Sequence, residues 1–156
     1  MAASKEWTEA YENVNFHSPE LRQEVGGKLQ TGEISKEEDA LSHFVVYFLP
    51  YNPITKSVFL VFDKRVGGLW LAPGGHVKKD ESPREAASRE TNEELGISVS
   101  IPDFPFFVGK TFATNPKRPC KVHYDFWYLI TTDGSTFKLT EEEFSEHKWL
   151  DVNEAL

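Results

Sequence analysis

Gly75-His76-Val77-Lys78-Lys79-Asp80-Glu81-Ser82-Pro83-Arg84-Glu85-Ala86-Ala87-Ser88-Arg89-Glu90-Thr91-Asn92-Glu93-Glu94-Leu95-Gly96-Ile97 decides how this chain is read. Its second half spells a short helix with a written start and stop. Ser82 suits an N-cap, Pro83 the first helical position, and Glu85 completes a capping box three residues on. Gly96 suits the left-handed residue that closes a helix. Between these ends lie Glu90, Glu93 and Glu94, at spacing i, i+3, i+4, so three carboxylates share one face. Like charges so placed repel, and helix formation does not ask for them. A hard divalent cation does, because Mg²⁺ is held by carboxylate oxygens. An exposed acidic helix with a good cap is the competing interpretation.

The same stretch resembles the Nudix box. That signature runs Gly, five residues, Glu, seven residues, Arg-Glu, an apolar residue, any residue, Glu-Glu, any residue, Gly and an apolar residue. Gly75, Glu81, Arg89, Glu90, Glu93, Glu94, Gly96 and Ile97 all match it. Thr91 departs, standing where an apolar side chain is usual. Its methyl can pack and its hydroxyl can donate back to the carbonyl of Ala87. Many relatives carry an acid and a glycine in the first gap; here it reads His76-Val77-Lys78-Lys79-Asp80, which leaves open how the phosphate end is contacted. Trp70 followed by Pro73-Gly74-Gly75 also resembles the family, and Pro73-Gly74 suits a type II turn with Gly74 at positive φ.

The resemblance covers residues 42–156 and implies an α/β (α+β) Nudix fold. Such a fold is a mixed β-sheet between helices, with the box as loop-helix-loop. It implies metal-dependent cleavage of a diphosphate linkage in a nucleoside diphosphate joined to some group X. Glu90, Glu93 and Glu94 would then hold Mg²⁺, or Mn²⁺ in its place. Glu81 and Arg89 would pair to hold the box in shape, with Arg89 also serving the catalytic centre. The base that takes the proton of the attacking water would be a box glutamate, Glu93 or Glu90, or one on a later loop. Glu142, Glu143 and Glu146 compete for the later role, with Glu143 favoured by its spacing to Trp149. Gly75 and Arg65 are candidates for the phosphate end of a substrate.

No downstream motif matches the ADP-ribose, dinucleoside polyphosphate, NADH or coenzyme A branches. A nucleoside triphosphate, normal or oxidised, is therefore the first choice of substrate by elimination. A nucleotide sugar is the second. Isopentenyl diphosphate isomerase shares the fold but needs a catalytic cysteine and acid, and Cys120 has no evident partner. A non-catalytic nucleotide sensor would be expected to lose box acids, and none is lost.

The chain of 156 residues reads as one domain, with 39% apolar and 13% aromatic residues to fill a core. A net charge of −8 argues against a long nucleic-acid track. It leaves a small phosphorylated nucleotide as the partner, because bound metal inverts the local charge. One cysteine excludes an internal disulfide. No apolar signal core and no membrane-length run is present, so a cytoplasmic location is the expectation.

Residues 1–41 read as a helical or irregular extension packing on the domain of residues 42–156, with a homodimer contact as its alternative use. Its apolar anchors are Trp7, Tyr11, Phe16, Leu21, Val25 and Leu29. A helix is expected to start at Ser18-Pro19, and Gly26-Gly27 to weaken or end it. Ser35-Lys36-Glu37-Glu38 is a second capping-box candidate. Residues 43–49 and 57–63 read as a strand hairpin across a turn at Pro50-Tyr51-Asn52-Pro53. Residues 98–101 read as a short strand. Residues 122–130 read as a strand whose period of two places His123, Asp125 and Trp127 on one face and Tyr124, Phe126 and Tyr128 on the other. The first face suits base edges and stacking, hence the candidates His123, Asp125 and Trp127 for substrate; a sheet with one wet face is the equal alternative. Residues 151–156 look like the first turn of a helix that the family usually makes longer. Either truncation or coverage of that sheet face by residues 1–41 would account for this.

Overall fold

The structure is a computed structural model that describes residues 3–139 and 144–155. The helices are α1 (Lys5–Glu12), α2 (Pro19–Thr31), α3 (Pro83–Leu95) and α4 (Val152–Ala155). The strands are β1 (Asn15–Phe16), β2 (Ser42–Asn52), β3 (Ser57–Asp63), β4 (Leu69–Leu71), β5 (Gly74–His76), β6 (Phe107–Phe112), β7 (Val122–Thr131) and β8 (Phe144–Asp151). The spine is a long parallel pairing of β2 with β7, from Ser42–Val122 to Tyr51–Thr131. β6 runs antiparallel to β7 on one side, and β1 closes that edge. On its other side β2 pairs antiparallel with β5 and, at its far end, with β3. β3 carries β4 and β8. The sheet is mixed, as expected.

Alternation along β2 and β7 divides the molecule. Phe44, Val46 and Phe48 of β2 and Tyr124, Phe126, Tyr128 and Ile130 of β7 enter one buried apolar cluster. Ala86, Ala87 and Leu95 of α3 join the same cluster, and so do Trp7 of α1 and Leu21, Val25 and Leu29 of α2. Trp7, Leu21, Val25 and Leu29 thus share one cluster with α3. The opposite face of the sheet carries His43, Val45 and Tyr47 of β2 and His123, Asp125 and Trp127 of β7. Here Tyr47 stacks on Trp127, with ring centroids 4.8 Å apart.

Several local expectations give way to packing. α2 continues through Gly26-Gly27 and ends at Gly32, φ 74°. Its stripe Leu21, Val25, Leu29 is buried at helical spacing, which outweighs the propensity cost of two glycines. Gly26 is also where Tyr11 approaches: a Cβ there would lie 3.0 Å from its hydroxyl. Ser35–Glu38 forms a turn and not a helix, with the Glu38 carboxylate accepting from Ile34 N–H, Ser35 N–H and the Ser35 hydroxyl. The hairpin turn lies beyond Asn52, whose Oδ1 accepts from Ile54 and Thr55 N–H, so β2 extends through Pro50. Residues 98–101 are irregular, although Ile97 and Ile101 are buried.

α3 forms as its sequence dictates. The Ser82 Oγ accepts from Glu85 N–H, and the Glu85 carboxylate accepts from Ser82 N–H at 2.8 Å. Gly96 closes the helix at φ 64°. Thr91 is buried and donates its hydroxyl to Ala87 O at 2.6 Å. That carbonyl sits four residues back and is a helix acceptor in its own right. Thr91→Val should therefore leave nothing unsatisfied and shift stability by less than ~1 kcal/mol. Thermal or urea unfolding checks this, and a larger loss would give the hydroxyl a structural role.

Candidate active site

α3 meets β5 at two glycines. Gly74 does not take positive φ as a type II turn would require, but begins β5. Glycine is needed for space: a Cβ on Gly74 would lie 2.2 Å from Val46 O, and one on Gly75 would lie 2.3 Å from Glu90 Oε1. The strand thus lies directly against the acidic face of the helix.

The three carboxylates of that face are not equivalent. Glu94 is 1% exposed. Its Oε2 accepts from Gly74 N–H at 2.8 Å and its Oε1 from Arg65 Nη2 at 3.1 Å. Burial, then the nearby Glu90 charge, pushes its pKa up to about 8, against the pull of Arg65 and the Gly74 amide. Glu90 is 8% exposed and also raised, chiefly by burial, with Arg89 opposing. The Glu93 side chain is 51% exposed, and Lys78 Nζ lies 3.7 Å from it.

Arg89 organises the group. Its Nη1 donates to Glu90 at 2.5 Å and to Glu93 at 3.2 Å. Its Nη2 donates to His76 O at 3.0 Å and to Glu81 at 2.9 Å, and its Nε also reaches Glu81. Burial alone would raise the Glu81 carboxyl, but Arg89 and the Lys78 amide hold it below the usual carboxylate range. The Glu81–Arg89 pair thus ties the loop ahead of the helix to the helix itself. Arg65 is tied likewise to Asp63 as well as Glu94. Sequence inspection did not single out Asp63. It was visible only as the acid that ends β3, where it also caps the turn by accepting from Arg65 N–H at 2.8 Å.

These side chains border a cleft of about 310 Å³ that includes Gly75, Arg65, Arg89, Glu90 and Glu93. A smaller hollow of about 80 Å³ adjoins it, bordered by Arg65, Glu94, Gly75, Tyr47 and His123. Asp125 and Trp127 border a different hollow, toward β6 and α2. Asp125 is 1% exposed, and burial pushes its pKa up to about 7. Glu142 and Glu143 lie outside the described residues. Glu146 is exposed on β8, opposite Phe62.

A second polar group lies on the same face of the sheet. His43, His76 and His123, each on a different strand, bring their rings to centroid distances of 4.8–5.2 Å, and Cys120 joins them. Burial lowers the pKa of all three imidazoles, to about 3 for His76 and about 4 for His123, with neighbouring histidines adding to the effect at His76 and His123. The sequence signal was slight: His43 and His123 each stand second in a largely apolar strand, and His76 follows two glycines.

Among the described residues no helix is long and apolar enough to cross a membrane. The family model of the NUDIX domain matches residues 41–156. The CTP pyrophosphohydrolase of Escherichia coli strain K12 is 33% identical over 91 residues, which are 57% of this chain and 60% of that protein. Nudix hydrolase 21, chloroplastic, of Arabidopsis thaliana is 30% identical over 99 residues, 64% of this chain and 48% of that protein. The chain thus spans about half to three fifths of these relatives. Among solved structures, a MutT NUDIX hydrolase from Burkholderia pseudomallei shares the fold at TM-score 0.61 and 19% identity, over 72% of this chain and 85% of that one. With its helix, its glycine strand and its Glu81–Arg89 brace in these positions, and with the family's domain matched over residues 41–156, the chain belongs to the Nudix family.

Proposed function

We propose that this protein is a divalent-metal-dependent pyrophosphohydrolase, and that it converts a nucleoside triphosphate to the monophosphate and pyrophosphate. The observation that carries the reading is the acidic face of α3, where two carboxylates are held almost out of solvent with their pKa values raised. Buried like charges are costly unless a cation offsets them. Oxygen-only donors suit Mg²⁺ or Mn²⁺. Glu90, Glu93 and Glu94 fit that demand and would hold the ion. When bound, it would polarise phosphoryl oxygens and lower the pKa of a coordinated water.

The chain's own residues do the rest. Phosphoryl transfer calls for positioning and charge neutralisation more than covalent chemistry. Arg89 holds Glu90 and Glu93 in register. Gly75 lets a phosphate approach the backbone, and Arg65 supplies positive charge. A carboxylate accepts the proton of the attacking water as the new O–P bond forms and the anhydride P–O bond breaks, with pyrophosphate leaving. Glu93, Glu90 and Glu143 are the candidates for that base. His123, Asp125 and Trp127 are proposed to meet the nucleoside. Similarity to a CTP pyrophosphohydrolase supports a triphosphate substrate. Residues 1–41 are proposed as an extension packing on the domain of residues 42–156, supported by the burial of Trp7.

The test is product analysis with Mg²⁺ against a panel of normal and oxidised nucleoside triphosphates and nucleotide sugars. Monophosphate and pyrophosphate from a triphosphate are expected. Monophosphate and sugar phosphate from a nucleotide sugar, with the triphosphates left intact, would move the assignment to nucleotide sugars. Tight binding without turnover would make the protein a nucleotide sensor.

A further inference from the structure

We propose that His43, His76, Cys120 and His123 form a structural Zn²⁺ site, separate in donor set from the carboxylates of α3. The four donor atoms, three imidazole nitrogens and one sulfur, lie within 4.8 Å of one another. His76 Nε2 is 3.4 Å from His123 Nε2, and Cys120 Sγ is 4.0 Å from His76 Nε2. Nitrogens bound to one tetrahedral zinc at ~2.0–2.1 Å stand about 3.3–3.4 Å apart. Two of the donors are thus already at ligand separation.

His43 supplies the independent observation. It is 0% exposed, and its Nε2 has no hydrogen-bond partner among the described residues. A buried polar atom left so costs free energy. Its other nitrogen, Nδ1, lies 2.8 Å from Asp39 O. A carbonyl only accepts, so Nδ1 carries the proton and the Nε2 lone pair points free. This is how metal-binding histidines are commonly set, by a hydrogen bond from the second ring nitrogen.

The fold builds the cluster. His43 and His123 are register partners on the parallel pair β2 and β7. His76 ends β5, where it lies opposite Val45 of β2. Cys120 is 2% exposed and sits two residues ahead of β7. Four protein donors with neutral imidazoles and a thiolate match borderline-soft zinc and close its coordination, as structural sites do. Hard Mg²⁺ prefers the oxygen set on α3. The ion would pin β5 to β2 and β7, and with it Gly74 and Gly75, which contact Glu94 and Glu90. The proposal does not depend on the nucleotide assignment above, and it would take His123 from the nucleoside contacts while leaving Asp125 and Trp127 there.

The experiment is metal binding by the full chain, followed by Co²⁺ substitution. The purified protein should bind one Zn²⁺ per chain and melt at a higher temperature with it. Co²⁺ should give the intense d–d bands of a tetrahedral centre together with a thiolate-to-cobalt charge-transfer band. Cys120→Ser should remove the charge-transfer band and weaken Zn²⁺ binding at least ~100-fold, the upper end of what loss of a mere outer partner costs. Glu93→Gln should leave Zn²⁺ affinity unchanged. Absence of Zn²⁺ binding, a Co²⁺ spectrum without the thiolate band, or equal loss of Zn²⁺ in Glu93→Gln and Cys120→Ser would overturn the site. The wild-type Co²⁺ spectrum decides the matter even where the variant does not fold.

Discussion

Glu93→Gln should lower kcat by at least ~100-fold, the scale on which removal of one charge-stabilising or proton-transfer group acts. Exhaustive chelation of divalent metal should remove turnover altogether, and Mg²⁺ or Mn²⁺ should restore it. Glutamine keeps the shape of the side chain and removes only the charge that would hold a cation. Half of the Glu93 side chain is exposed, and Arg89 keeps Glu81, Glu90 and the His76 carbonyl when Glu93 is neutralised. The fold should therefore survive, with metal-free stability changed by less than ~1 kcal/mol. Glu85→Gln is the matched control. Its carboxylate accepts from Ser82 N–H in the helix cap, and glutamine can serve there too. Its kcat should be nearly unchanged. The measurement is kcat and thermal midpoint for both variants, the midpoint without metal. Equal loss of activity in the two, or unfolding of Glu93→Gln, would make the acidic face a structural feature.

The box was legible because its rules are local. A cap, a stop and three acids at helical spacing fix which side chains share a face before any tertiary contact is known. The same holds for β7, where alternation put Tyr124 and Phe126 on the face opposite His123 and Asp125, and the first pair lies in the apolar cluster. What failed were inferences from glycine and from turn composition. Gly26-Gly27 reads as a helix end only until Leu21, Val25 and Leu29 are seen to be buried. Gly74 reads as a left-handed turn residue, when its role is to let β5 reach Val46 O. Neither contact is local, so neither can be read from the neighbouring residues.

The inequality of the three acids was not legible either. Spacing makes Glu90, Glu93 and Glu94 a set. Only the approach of β5 and of the turn after β3 separates a Glu94 locked by Gly74 and Arg65 from a half-exposed Glu93. The four-donor cluster illustrates the same limit. Its members come from β2, β5, β7 and the segment ahead of β7, separated by up to 80 positions, and strand register alone brings them together.

Trp7→Ala should destabilise the protein by about 3–5 kcal/mol, the cost of truncating a large buried aromatic. For a chain of this size that is a fall in thermal midpoint of roughly 6–20 °C. Trp7 is 1% exposed. Its ring lies 5.1 Å from that of Phe44 and 5.0 Å from that of Phe126, on two central strands. Its Nε1–H donates to Glu81 O at 2.8 Å, on the loop whose side chain is braced by Arg89. One residue of the N-terminal extension thus touches both the core and the entry to the box. Trp7→Phe separates these roles: it retains a ring against Phe44 and Phe126 but loses the donor to Glu81. Its cost should stay near ~1 kcal/mol, the usual net worth of one hydrogen bond, with some packing loss added. Urea unfolding of the two variants gives both numbers. A Trp7→Ala loss below ~1 kcal/mol would mean that residues 1–41 are a detachable arm, and that the core of residues 42–156 closes without them.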